Sequence, residues 1–147
     1  MNMRARIILP ALILSAAASP AAAQTFNASV GASLSSYSSG FALHAGLTAR
    51  NVTVLAGYGL DARLSADLGR GTTLNLDGLL NYPTTTLTFY GGPGLALGFG
   101  GASGFSVAPT LTAGVDLPLN GQLGLYAEGV YRFPGSVGAR AGLTYAF

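Results

Sequence analysis

Nine charged side chains hold most of the chemistry open to this chain: Arg50, Asp61, Arg63, Asp67, Asp77, Asp116, Glu128, Arg132 and Arg140. Each is offset from the large apolar residues around it by a period of two. On a β-strand that offset puts the charges on one face and the apolar residues on the other. In a closed sheet, opposite charges sharing the inner face must pair, because an unpaired buried charge is expensive. The chemistry implied is a lumenal charge network that plugs a barrel. Arg70 stands apart, in an expected turn.

Other chemistries find little support. His44 is the sole histidine; it has inward parity and is followed by Ala45 and Gly46, which reads as a hydrogen-bonded filler without the rest of a triad. Gly91-Gly92-Pro93-Gly94 lacks the Lys and Ser/Thr of a phosphate loop and falls mid-strand. The chain has no cysteine, so neither a disulfide framework nor a thiolate metal site is available. Catalytic, cofactor-binding and metal-binding residues are therefore expected to be none, and no enzyme is expected. The chain has a formal net charge of +2, but Arg4 and Arg6 belong to an expected leader. The remainder balances its arginines against its acids and contains no lysine. A nucleic-acid partner is excluded on that ground.

Eight alternating segments position these residues. Phe26–Leu34 and Phe41–Ala49 come first, and Arg50-Asn51 is read as a two-residue turn between odd and even apolar parity. One long strand, Val52–Leu68, follows, then the turn Gly69-Arg70-Gly71. Leu74–Tyr82, Leu87–Phe99, Phe105–Leu117, Leu123–Phe133 and Val137–Phe147 complete the set. Splitting Leu87–Phe99 at Pro93 gives ten strands as the alternative. The reading is all-β: an eight-stranded antiparallel transmembrane β-barrel, since barrels of this kind have an even strand number.

Only 8% of the chain is charged and 50% is hydrophobic, yet no apolar run beyond the leader nears the roughly 18 residues of a membrane helix. A barrel with its apolar face toward lipid accommodates both facts. A lipid-facing Arg near the bilayer centre costs about 2–4 kcal/mol, which explains why no charge shares the apolar parity. Strand glycines fall mostly on the polar parity, as a narrow lumen requires; Gly78, Gly91 and Gly129 are the exceptions. Phe41, Phe99, Phe105, Tyr131 and Phe133 flank one set of loops, and Phe26, Tyr82, Tyr145 and Phe147 the other, as two interfacial girdles would. Tyr58 and Phe89 fit neither girdle neatly. The first 23 residues read as a signal peptide: basic Arg4 and Arg6, apolar Ile7–Ala18, and cleavage after Ala21-Ala22-Ala23. Residues 24–147 then form the barrel domain.

The leader, the eight segments, the stretch Tyr90-Gly91-Gly92-Pro93-Gly94-Leu95 and the terminal Tyr145-Ala146-Phe147 together resemble the small outer-membrane β-barrel family of the OmpA transmembrane-domain and OmpX type. The resemblance spans Phe26 to Phe147. It implies a bacterial outer-membrane location, lipid and the barrel-assembly machinery as partners, a monomeric state, and Phe147 as an assembly signal. The expected role is a structural envelope component with a salt-bridged, plugged lumen. A narrow pore for ions or small solutes is the first alternative; a soluble, secreted lipocalin-like barrel is the second. Within the lumen, a three-residue hairpin around Pro134-Gly135 places Glu128 against Arg140, with Arg132 as a competitor for Glu128.

Overall fold

The computed structural model describes residues 25–36, 40–100 and 104–147; the expected leader, 1–23, lies outside them. Eight strands are present: β1 Phe26–Ser35, β2 Gly40–Leu55, β3 Tyr58–Leu68, β4 Thr72–Pro83, β5 Thr88–Phe99, β6 Phe105–Pro118, β7 Leu123–Arg132 and β8 Ser136–Ala146. Each pairs antiparallel with the next, and β8 returns to β1 to close the barrel. Closure gives the strands' backbone groups partners within the sheet and leaves no edge. Pro93 stays inside β5 opposite Leu111, so the ten-strand alternative does not hold.

The barrel is polar inside and apolar outside. Leu111, Leu125 and Leu143 are exposed on the outer wall, whereas Thr110, Tyr126 and Arg140 are buried within. Inward glycines make this interior possible. A Cβ on Gly94 would collide with Asp77 Oδ1 and crowd Thr110 Oγ1, and one on Gly46 would crowd Ser29 Oγ. Each inward glycine of this kind leaves its volume to a polar side chain from a neighbouring strand.

One expected turn is misplaced. Arg50-Asn51 does not join two strands; it lies in a bulge of β2. The register runs from Ala49↔Ala62 directly to Thr53↔Leu60, so three residues, Arg50–Val52, oppose Asp61 alone. Asn51 has φ 49°, a left-handed conformation that asparagine tolerates in bulges as well as in turns. The actual hairpin is Ala56-Gly57, with φ 52° and 85°, the pair of positive values a two-residue type I′ turn needs. The parity change from odd to even is therefore real but occurs at Ala56-Gly57. Val52 and Val54 belong to β2 and do not extend the outward series of β3. The hairpin reaches past the start of β1, where pairing ends with Arg50 N donating to Thr25 O at 2.9 Å, and there Val54 is exposed despite its inward parity.

Moving that turn also places Tyr58. Its ring lies 5.8 Å from that of Tyr82, and Tyr82 pairs with Phe89. Both outward aromatics thus join the girdle at the end of the barrel that carries the termini. Phe147 completes it, stacking on Phe26 at 6.3 Å and on Tyr145 at 6.4 Å. Phe99–Phe105 and Tyr131–Phe133 contacts mark the opposite rim.

Candidate functional site: the lumenal charge network

The β7–β8 hairpin shows how local geometry builds the network. Arg132 pairs with Ser136, leaving a three-residue loop in which Gly135 adopts φ 151°. That register sets Glu128 directly opposite Arg140. Two residues on one face of adjacent strands, at a directly opposed position, are close enough for long side chains to meet. Arg140 Nη1 donates to Glu128 Oε1 at 3.0 Å.

Two more strands supply the rest of the centre. Arg140 also grips Asp67 of β3, through Nε at 3.1 Å and through Nη2. This two-pronged contact matches the guanidinium fork to a carboxylate and is the stronger of its two attachments. Arg63 donates through Nη1 to Glu128 Oε2 at 2.6 Å and through Nε and Nη2 to Asp77 Oδ2 at 3.1 and 3.0 Å. The order Asp77–Arg63–Glu128–Arg140–Asp67 is thus an alternating chain of charges crossing the lumen. Arg63, Arg140, Asp67, Asp77 and Glu128 are all at most 5% exposed. At this depth of burial each additional donor raises the value of the set, because every carboxylate oxygen left bare would be costly.

Three further side chains complete the carboxylates. His44 Nδ1 lies 2.8 Å from Asp67 Oδ1, Asn75 Nδ2 donates to Asp67 Oδ2 at 3.1 Å, and the Tyr90 hydroxyl donates to Glu128 Oε2 at 2.8 Å. Parity identified His44 and Tyr90 as inward. His44 stands directly opposite Asp67 on the adjacent strand, a register hidden by the misplaced β2–β3 turn, whereas Tyr90 reaches Glu128 from β5 to β7, across non-adjacent strands, as barrel stagger dictates. The Asp67–His44 pair has the form of an acid–base dyad. His44 is 0% exposed, so neither ring nitrogen meets solvent.

A second cluster lies nearer the chain termini. Arg50 Nε is 3.0 Å from Asp61 Oδ2 and its Nη1 is 3.7 Å from Asp116 Oδ2. The β2 bulge creates this site: Asn51 N donates to Asp61 Oδ1 at 2.8 Å, and Thr144 Oγ1 donates to Asp116 at 3.3 Å. Arg132 is the one network member that the structure places elsewhere. It lies at the far end of the lumen, donating to Ser106 Oγ at 2.9 Å, in the space left by Gly98. The second guanidinium on Glu128 is Arg63, not Arg132, because strand stagger brings β3 across the lumen toward β7.

A charged interior inside an aliphatic shell defines the class: the fold is that of the eight-stranded transmembrane β-barrels. Solved structures agree. A de novo designed transmembrane β-barrel superposes with a TM-score of 0.68 at 15% identity, covering 86% of this chain and 98% of the design. The N-terminal β-barrel domain of Pseudomonas aeruginosa OprF gives 0.65 at 14% identity, over 84% of this chain and 98% of that domain. Neisserial surface protein A gives 0.51 at 16% identity, over 84% and 95%. No protein-family profile and no curated protein sequence matches the chain.

Proposed function

We propose that this protein is an integral component of a bacterial outer membrane, monomeric, whose role is structural and whose lumen is closed by the charge network. The observation that carries the reading is the reversal of polarity. Leu34, Leu43, Leu64, Leu76, Val107 and Val137 are all more than half exposed, while Asp67, Asp77, Glu128, Arg63 and Arg140 are buried. In water such a surface would aggregate; in lipid it is solvated, and the backbone is satisfied by closure. A soluble lipocalin-like barrel needs the opposite arrangement, with apolar residues lining its interior.

Outer-membrane lipid is then the protein's principal partner. The barrel-assembly machinery is a second, reading β8 and the adjacent Phe147 during insertion. Export by the leader at residues 1–23 delivers the chain to that machinery. The Asp77–Arg63–Glu128–Arg140–Asp67 chain supports a plug without a catalytic role, since it spans the lumen and consumes the donors that a substrate would need. A polar vestibule below the plug, bounded by Asp61, Asp116 and Tyr90, favours the narrow-pore alternative. Heat-modifiable gel mobility of the refolded protein, with planar-bilayer recording, tests the whole reading. A mobility shift with no steady conductance is expected. A protein that needs no detergent to remain dispersed would refute membrane residence, and sustained open-channel current would replace the plug with the pore.

A further inference from the structure

The row Ser29–Gly46–Ser65 crosses β1, β2 and β3 on the inner face, each residue directly opposite the next. Its middle member has no side chain, and the neighbours lean over the gap. A Cβ on Gly46 would lie 2.7 Å from Ser29 Oγ, 3.0 Å from Ser65 Cβ and 3.6 Å from His44 Nε2. His44 is 0% exposed and Ser65 3%. His44 Nε2, Ser29 Oγ and Ser65 Oγ are all buried and have no hydrogen-bond partner in the protein. Three orphaned polar atoms around one glycine are costly unless something joins them.

Their chemistry says what that is. His44 Nδ1 is taken up by Asp67 at 2.8 Å, which leaves Nε2 as the ring's open position. Nε2 accepts a hydrogen bond in one protonation state of the ring and donates in the other, and a hydroxyl does both. The joining molecule must therefore donate and accept. An anion cannot donate, and it would sit across the ring from the Asp67 carboxylate. Among the described residues no group of three or more His, Cys, Asp and Glu side chains is assembled to hold a metal ion.

We infer that one ordered internal water is bound over Gly46, bridging His44 Nε2 to the Ser29 and Ser65 hydroxyls. Three hydrogen bonds are the usual complement of a buried water. Ser29 also lines a cavity of about 30 Å³ toward the termini end, space for about two further waters and the route by which this one arrives. The water ties β1, β2 and β3 together beside the charge network, on the open side of the ring that Asp67 holds. The inference goes beyond the structural role proposed above and depends on neither lipid nor conductance.

The test is a crystal structure of the unsubstituted protein in detergent in which ordered waters are visible, joined to a double-mutant cycle. A water within about 3.2 Å of His44 Nε2 and of at least one of the two hydroxyls is expected. A serine bonded directly to Nε2, or no water over Gly46, overturns the inference. In urea unfolding, Ser29→Ala and Ser65→Ala should each lower the folded-to-unfolded ratio about fivefold, the worth of an ordinary hydrogen bond. The double variant should lose no more than about fivefold, because the second hydroxyl then has no water left to hold. Two hydroxyls acting separately would multiply to about 25-fold, and that result overturns the shared water.

Discussion

Replacing Arg140 with methionine removes the residue that joins the two halves of the central charge network while keeping most of its volume. Three donor contacts vanish: two to Asp67 and one to Glu128. Neither carboxylate is left bare, since Asp67 keeps His44 and Asn75 and Glu128 keeps Arg63 and Tyr90. Breaking a buried pair costs about 3–5 kcal/mol when one charge is stranded; with these remaining partners the lower end, about 3 kcal/mol, is expected. The two attachments should differ. Asp67 is held by two nitrogens of the guanidinium and Glu128 by one, so double-mutant cycles should give about 2 kcal/mol of coupling for Arg140→Met with Asp67→Asn. The cycle with Glu128→Gln should give about 1 kcal/mol. Removing Glu128 also deprives Arg63 of a partner, so the Glu128 single variant is the costlier of the two carboxylate changes. The chain contains no tryptophan, and unfolding in urea is best followed by far-ultraviolet circular dichroism together with gel mobility. A cost below about 1 kcal/mol for Arg140→Met, or a larger coupling to Glu128 than to Asp67, would refute the picture of Arg140 as a fork closed on Asp67.

Gly92→Ala should prevent barrel closure, because its Cβ would overlap the Gly78 carbonyl of the neighbouring strand, whereas Gly78→Ala has open space and should fold normally; yields of the heat-modifiable form on gels separate the two. Ala56→Asn should stabilise the barrel by about 0.5–1 kcal/mol, since asparagine tolerates the left-handed conformation of a type I′ turn better than alanine; an unchanged urea midpoint would count against the placement of that hairpin. Phe147→Ala leaves the Phe26–Phe147 backbone hydrogen bonds in place and should lower outer-membrane accumulation in cells while refolding into detergent stays near the unsubstituted level. Equal cellular levels would remove Phe147 from assembly.

Strand number, closure and facing were legible in the sequence because they depend on a period of two, which a lipid-exposed wall enforces at each outward position. The Glu128–Arg140 contact was legible for a related reason: parity and a short hairpin fix the register between adjacent strands. The Arg50-Asn51 turn was misread because a left-handed asparagine serves a bulge and a turn equally well, and only the long-range register of β2 on β3 distinguishes them. Contacts across the lumen, such as Arg63 with Glu128 and Asp67 with Arg140, were beyond reach. They are set by strand tilt and stagger, which local alternation does not encode. Arg132 was expected as a competitor for Glu128 for the same reason: sequence proximity stood in for a distance that the stagger determines.

The central claim is that the aliphatic wall is bathed in lipid and the charges are sealed inside. Because the chain contains no cysteine, single cysteines can be introduced and labelled with an environment-sensitive fluorophore one at a time. Leu111→Cys, Leu125→Cys and Leu143→Cys, labelled and refolded into vesicles, should be strongly quenched by phospholipids brominated on their acyl chains. Ser65→Cys, inside the lumen, should resist both labelling after folding and quenching by those lipids. Quenching at the three leucine positions with protection at Ser65 is the predicted outcome; unquenched leucine positions beside a readily labelled Ser65→Cys would contradict the account.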